Sequence, residues 1–338
     1  MTQRFTIAMP SKGAISQPTQ SFLKQCGLKV SKPNERQYVG TMPAIPSLGV
    51  LFQRVKDVVY KVVDGTAHLG ITGYDVVHEN PHENLVIIHD KLGYGHCSLV
   101  VAVPEAWVDV QNMADLAEIA LDFRERKGRN IRIATTFTHS TREFLHQHSI
   151  HHFSMVKADG AIEAAPTIGY ADMVVDLTQT GTTLRENHLK MIEGGTVTDS
   201  QACLIGNREA LLNHPELLDT TRIMLEYIDA AQNGQQYYQL TIDVQGEAPE
   251  EVARKIASNP ITRGLLGPTI APIYSTNGDD SGKIWHTVNI IVGNKKLLEA
   301  VEHMRSIGGR HAIATPVHYV FLDQSPTYTR LLEKLDLA

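Results

Sequence analysis

The sequence predicts an α/β protein of two lobes followed by a separate small domain, and three observations predict it. A chain of 338 residues exceeds one average core and implies two or three compact units with a cleft between them. Up to Glu226, strand-like and helix-like segments alternate, the pattern of mainly parallel sheets covered by helices. Beyond Glu226 the order becomes βαββαβ. With 42% hydrophobic and 20% charged residues, 25 Gly and 15 Pro, the composition is that of neither a disordered nor a collagen-like chain.

In the first lobe, residues 5–9 read as a strand, 10–13 as a loop, and Ser16 with Pro18 as a capped helix start. Residues 50–52 are strand-like, 57–63 helical, Gly65 closes that helix, and 68–72 form a buried strand. The strand at 97–104 leads to a helix at 113–127 and a strand at 131–135, which opens a second lobe. That lobe continues with a helix at 141–147, a strand at 153–156, a helix at 160–165, a strand at 173–176 and a helix start at Thr183. A strand at 200–205 returns to the first lobe, so the chain crosses twice and makes a hinge. The first lobe is thus expected at 1–97 and 197–226, and the second at 98–196.

Residues 230–236 read as a linker. Strands follow at 238–244, 270–274, 285–292 and 312–320, with helices at 249–258 and 295–307. Two helices on one face of a four-stranded antiparallel sheet make a ferredoxin-like domain, expected at 237–338, with a hairpin turn at 276–282.

Thirty-one basic against 37 acidic residues give a net charge of −6, so no global field attracts nucleic acid or an anionic membrane. A polyanionic ligand must be held by local groups. Cys26, Cys97 and Cys203 are odd in number and lack any C-x-x-C spacing, which fits packing thiols in a reducing cytosol rather than disulfides or zinc. The N-terminus shows no signal-peptide pattern, and no apolar run approaches the roughly 20 residues of a membrane span.

The most informative stretch runs from Glu163 through Gly169, Ala171, Asp172 and Asp176 to Thr178, Gln179, Thr180, Gly181, Thr182, Thr183 and Leu184. A strand delivers Asp176 at its carboxyl end, and a turn of hydroxyl residues around Gly181 leads into a helix. Backbone amides, the hydroxyls of Thr180, Thr182 and Thr183 and the helix dipole make a nest for a phosphate monoester. An acid just before it accepts hydrogen bonds from sugar hydroxyls or helps to hold a metal–diphosphate. The pattern is that of a ribose-5-phosphate site.

This spacing of Glu, Gly-x-Ala, Val-x-Asp-Leu and Thr-Gly-x-Thr-Leu resembles the signature of the ATP phosphoribosyltransferases. Met9-Pro-Ser-Lys-Gly13, the run from Arg54 to Asp57, the run from Asp64 to Asp75, and Arg132-Ile-Ala-Thr135 resemble other motifs of that family, so the likeness covers essentially the whole chain. The C-terminal unit is similar to the histidine-sensing domain of the family's long form. The resemblance implies a two-lobed core like that of periplasmic binding proteins. It implies transfer of ribose 5-phosphate from phosphoribosyl pyrophosphate to N1 of ATP, with Mg²⁺ carried on substrate phosphates and no dedicated metal site. It further implies inhibition by histidine and a homo-oligomer, dimer to hexamer.

On that resemblance the loop from Thr178 to Leu184 holds the 5′-phosphate, and Asp176, with Asp172, the ribose hydroxyls. Glu163 bonds a substrate ribose or orients the adenine. Lys12 and Gly13 face phosphates, Arg54 pairs with a polyphosphate supported by Asp57, and Gly70, Thr72 and Gly73 form the opposite wall. Asp243 meets the amino group of the inhibitor, with Thr269 and Ala271 at the same interface. Two positions depart from the family: Ala14 stands where an arginine is usual, and Thr136 where a lysine is frequent. Either affinity is weaker, or Arg54, Lys56 or Arg132 substitutes. His146, His148, His151 and His152 lack a completing acidic or Cys partner and read as a solvated helix end. The competing reading is a non-catalytic two-lobed amino-acid or nucleotide sensor.

Overall fold

A computed structural model of the chain describes residues 4–34, 37–157, 160–274 and 284–337. The first run comprises β1 (Phe5–Pro10), α1 (Ser16–Gln25), β2 (Val39–Thr41), β3 (Leu48–Gln53), α2 (Val55–Val63), β4 (Leu69–Gly73), α3 (Tyr74–Glu79) and β5 (Leu85–His89). The next comprises β6 (Cys97–Pro104), α4 (Met113–Arg126), β7 (Ile131–Thr135), α5 (Thr138–Gln147), β8 (Phe153–Lys157), β9 (Met173–Thr178), α6 (Thr182–Glu186) and β10 (Leu189–Ser200). Then come β11 (Ala202–Asn207), α7 (Arg208–Asn213) and α8 (Pro215–Gly234). The chain closes with β12 (Tyr237–Gln245), α9 (Pro249–Ala257), β13 (Thr269–Pro272), β14 (Trp285–Gly293), α10 (Leu297–Ser306), β15 (Arg310–Pro316) and α11 (Pro326–Lys334).

The first lobe is built on a six-stranded sheet in the order β2-β3-β1-β4-β11-β5. Its centre is parallel, β1 pairing with β3 and β4, while β11 returns antiparallel to β4 and β5. The chain leaves this sheet after β5 and re-enters it at β11, so the lobes are joined by two crossings. Helix α2 packs Val58, Val59 and Val62 on Ala8, Ala67 and Ile205. A close approach at β4 allows this: a Cβ at Gly70 would lie 2.7 Å from Val58 Cγ1 and 2.8 Å from Val62 Cγ2.

The second lobe carries a five-stranded sheet in the order β10-β6-β9-β7-β8. Along β6, Leu99, Val101 and Val103 are buried with Phe123 and Phe144 on one face, and Val100 and Ala102 with Ala134 and Leu184 on the other. A strand covered on both sides needs no polar alternation, which explains the unbroken apolar run.

The third sheet has the order β13-β14-β12-β15 and is antiparallel throughout, as the ferredoxin-like order requires. Alternate residues of β14, His286, Val288, Ile290 and Val292, are buried. Val252 and Ile256 of α9, with Ala300 and Met304 of α10, share the core of that face.

By internal contacts the chain divides into two units, one of Met1–Lys24, Leu28–Thr220 and Arg330–Ala338, the other of Gln25–Gly27 and Thr221–Thr329. The final turns of α11 thus group with the first unit, where Lys334 Nζ donates to the Ile87 carbonyl at 2.7 Å.

Several local expectations change. The stretch read as a linker at 230–236 is helical as far as Gly234, because Ala230 and Ala231 continue the buried stripe of Leu217, Met224, Leu225 and Ile228 along α8. The strand expected at 200–205 is two strands broken at Gln201, and the helix expected at 160–165 is one 3-10 turn at Ile162–Ala164. β15 stops at Pro316. The strand β10 was not expected: Gly194 and Gly195 lie within it, at a register irregularity that masks the alternation. The hairpin turn expected at 276–282 falls outside the described residues.

Gly70→Ala should destabilise the protein by about 1–3 kcal/mol, because the new methyl overpacks the α2 contact. A denaturant titration showing an unchanged midpoint would contradict this packing.

Candidate active site between the two lobes

Strand β9 points its carboxyl end at the interlobe cleft. Gly181 follows it with φ +72°, and its amide donates to Thr178 Oγ1 at 2.8 Å, which closes a tight turn that a glycine adopts without strain. Thr180 Oγ1 and Thr182 Oγ1 lie 2.9 Å apart, so the two hydroxyls face one point. Thr180, Thr182 and Thr183 are exposed, as a ligand-facing loop requires. Two details differ from expectation. Helix α6 is only five residues long, so loop amides and hydroxyls, rather than a long macrodipole, offer the donors. The Leu184 side chain is buried in the lobe core and does not face the loop.

Asp176 lies within β9, half-buried, and one of its oxygens accepts the Leu177 amide at 2.8 Å. Burial raises its proton affinity, the Leu177 bond opposes that, the nearby Glu163 raises it further and Lys56 lowers it. Asp176, Glu163 and Lys56 therefore form one electrostatic group, brought together from a strand, a 3-10 turn and the first turn of α2.

Asp172 is not part of that group. It precedes β9 at the opposite end, four residues from Asp176, about 13 Å away along an extended strand. Arg129 grips both of its oxygens at 2.6 and 2.9 Å, and Arg132 adds its backbone amide at 2.8 Å and Nη2 at 3.1 Å. Burial alone would raise this carboxyl, but the hydrogen bonds from Arg129 and Arg132 hold it well below the usual carboxylate range. The expected ribose contact at Asp172 is corrected to a structural clamp. Arg132 is engaged by the same clamp, which removes it as a substitute for a missing substrate cation.

In the first lobe, Gly13 (φ +92°) turns the loop after β1. Lys12, Arg54 and Asp57 line one cavity of about 420 Å³ with Lys32 and Gln53. Lys56 lies between two other cavities: one of about 320 Å³ shared with Ala14, and one of about 430 Å³ shared with Thr136. Of the residues expected to form the opposite wall, Gly73 lines the cavity of about 320 Å³. Gly70 is buried mid-strand against α2, and the Thr72 hydroxyl is buried and donates to the Val55 carbonyl at 2.9 Å; both are packing residues, because their faces of β4 are covered by that helix.

Asp75, the last residue of the motif that begins at Asp64, lines the 320 Å³ cavity beside Gly73, with Leu177, Thr178 and Gln179 of the second lobe. Ser200 Oγ donates to its Oδ1 at 2.6 Å and accepts the Asp75 amide at 2.9 Å. A second unforeseen residue is Glu79. Helix α5 has no side-chain cap of its own. Its first amides, His139 N and Ser140 N, donate to the Glu79 carboxylate at 2.9 and 3.0 Å, and Ser140 Oγ adds a third bond at 2.9 Å. A first-lobe carboxylate thereby caps a second-lobe helix.

In the third sheet, Asp243, Thr287 and Ala271 stand in register across β12, β14 and β13, with Thr241, Asn289 and Thr269 in the next such row. Both rows lie on the face opposite the buried Ile242 and Val288. Asp243 is two residues short of the strand end, and its Oδ2 lies 3.2 Å from His311 Nδ1. Among the described residues, no group of three or more His, Cys, Asp or Glu side chains is placed to hold a metal ion. His148 bonds the Phe144 carbonyl at 2.9 Å, and the His146 and His151 rings pack at 5.3 Å. No described helix is long and apolar enough to cross a membrane.

Two α/β lobes, doubly connected around a cleft that holds a threonine loop and desolvated carboxylates, define a two-lobed enzyme of the periplasmic-binding-protein-like fold with an appended ferredoxin-like domain. Comparison with known proteins makes this specific. Residues 54–227 match the family described as ATP phosphoribosyltransferase, and residues 234–319 match that described as HisG, C-terminal domain. The chloroplastic ATP phosphoribosyltransferase 2 of Arabidopsis thaliana is 37% identical over 99% of this chain and 81% of its own length. The Brucella anthropi ATP phosphoribosyltransferase is 43% identical over 64% of this chain and 96% of its own. A chain of the ATP phosphoribosyl transferase (HisG:HisZ) complex from Thermotoga maritima shares the fold, with TM-score 0.51 at 22% identity over 67% of this chain and 98% of that one. The chain belongs to the ATP phosphoribosyltransferase family, in its long form. It is a pentosyl transferase that acts at the first step of histidine biosynthesis, and the sensor reading is not favoured.

Asp172→Asn should cost about 2 kcal/mol, roughly 4–8 °C in melting temperature, by leaving two guanidinium groups without their charge partner. Since the folded state lowers this pKa, the clamp's stabilisation is present above the unfolded value near 4 and fades as pH falls towards the folded value. Melts from pH 7 to 3 should therefore show the gap between wild type and variant narrowing with acid.

Proposed function

We propose that ribose 5-phosphate is transferred in the interlobe cleft, with the loop Thr178, Gln179, Thr180, Gly181, Thr182 and Thr183 holding the 5′-phosphate and Asp176 the ribose hydroxyls. The observation that carries this is the turn fixed by the Gly181–Thr178 bond, with the exposed hydroxyls of Thr180 and Thr182 converging from either side of Gly181. Displacement at an anomeric carbon passes through an oxocarbenium-like state, so it needs an aligned nucleophile and a stabilised leaving group rather than a protein nucleophile.

Lys12, Arg54 and Asp57, which share one cavity, suit a polyphosphate. Lys56 is adjacent to both positions where the family's cations are replaced, Ala14 and Thr136, and is the residue that compensates for them. Glu163, beside Asp176, bonds a substrate ribose or orients the adenine. Asp176 and Glu163 supply hard oxygen donors that fit Mg²⁺ delivered on substrate phosphates, where the ion would neutralise charge on the departing pyrophosphate.

The chain's division is read as a catalytic first lobe (1–97 and 197–226), a second lobe (98–196) and a regulatory domain (237–338), of which the last stretch, Arg330–Ala338, groups by its contacts with the first unit. Histidine inhibits through that last domain, with Asp243 meeting its amino group and Thr269 and Ala271 on the same open sheet face. The protein works as a homo-oligomer, dimer to hexamer, in the cytosol, with no nucleic-acid or membrane partner.

With ATP, phosphoribosyl pyrophosphate and Mg²⁺, the protein should form phosphoribosyl-ATP, read as an ultraviolet absorbance change. Asp176→Asn should lower kcat about 100-fold and Thr180→Val should raise KM for phosphoribosyl pyrophosphate about tenfold. Because the folded state raises the Asp176 pKa, its ionised form is unfavourable above pH 4, and Asp176→Asn should melt higher than wild type at neutral pH. Unchanged turnover in both variants would overturn the site.

Asp243→Ala should stay active and lose sensitivity to histidine. Inhibition curves that superimpose on wild type would move the inhibitor elsewhere.

A further inference from the structure

We propose that Asp75 reads the exocyclic amine of the attacking adenine and accepts its proton, so selecting a 6-aminopurine as the nucleophile. This rests on the reading of the interlobe cleft as the transferase site. The cavity of about 320 Å³ beside Asp75 is walled by Ile15, Val55, Val76, Phe137 and Leu177. Among its described lining residues, Asp75 is the one carboxylate and Lys56 the one ammonium. An apolar slot with a polar group at its edge fits a flat purine, whose faces are apolar and whose edge carries its hydrogen bonds.

Thr178 and Gln179 of the ribose-phosphate loop line the same cavity, so a base held there lies against the site of the anomeric carbon. Asp75 is 6% exposed, and Ser200 bonds both its carboxylate and its amide, which fixes the side chain. A carboxylate buried in an apolar wall costs folding energy and calls for a functional reason. Burial also raises its proton affinity, more than the Ser200 bond and Lys56 lower it, as a proton acceptor requires.

The chemistry balances. The N1 lone pair forms the N1–C1′ bond while the C1′–O bond breaks and its electron pair leaves on pyrophosphate. The purine becomes cationic, its N6–H acidifies, and the Asp75 carboxylate takes that proton. A neutral 6-imino purine remains, and the proton passes to water after product release. A 6-oxopurine fails on both counts: its N1 carries a hydrogen, and its O6 would face the carboxylate without a donor.

The test uses the full chain with Mg²⁺ and phosphoribosyl pyrophosphate. Asp75→Asn should lower kcat with ATP about 100-fold while its calorimetric Kd for phosphoribosyl pyrophosphate stays within about twofold of wild type. Wild-type kcat in that variant would overturn the proposal. Should the variant fail to fold, wild type decides: the triphosphate of purine riboside keeps N1 but lacks the amine, and should turn over about 100-fold more slowly than ATP. Equal rates would overturn the proposal equally. A wild type that transfers nothing to ATP would instead sink the transferase site on which it rests.

Discussion

The carboxylate of Glu79 supplies what helix α5 does not supply for itself. An uncapped helix start leaves backbone donors without partners, and here the nearest acceptor belongs to the other lobe. The bond set is therefore a constraint on lobe geometry as well as a cap. At about 1 kcal/mol for a typical capping contact, two or three such bonds bias the cleft towards one opening angle by an order of magnitude or more. His78, one residue earlier, reinforces the contact through Ser140 Oγ at 3.0 Å. The threonine loop and Lys56 come from different lobes, so the distance between them depends on that angle.

Within this frame two desolvated carboxylates, Asp75 of the first lobe and Asp176 of the second, share one cation. Burial raises both, and Lys56 is the cation that lowers both. The overall charge of −6 says nothing of this arrangement. What matters is the placement of a few lysines and arginines at strand ends, where low-dielectric walls strengthen each interaction.

Much of this was legible in the sequence, for physical reasons that differ by element. The two-lobed core showed because buried strands such as β6 leave unbroken apolar runs, and the ferredoxin-like unit because its strands alternate, as β14 does. The threonine loop showed because a glycine at positive φ amid hydroxyls has a recognisable composition. Function was misassigned where one residue type serves two purposes. Gly70 and Thr72 share a motif with Gly73, yet only the strand's pairing with α2 reveals which faces are covered. Asp172 lies close to Asp176 in sequence but at the far end of the strand, and its partner Arg129 lies 43 positions away. Glu79 could not be found from spacing, since its partners lie 60 and 61 residues on and carry no signal beyond an uncapped helix.

Cys97 lines the same cavity as Asp75, on the crossing between the lobes. Its thiol is pushed up to about 11 by burial, and the negative charge of Asp75 contributes to that shift. The thiolate is the form that electrophiles and peroxides attack, so a cleft thiol held protonated at neutral pH is slow to oxidise or alkylate. The Asp75 carboxylate thus adds to burial in keeping a neighbouring sulfur in its less reactive thiol form.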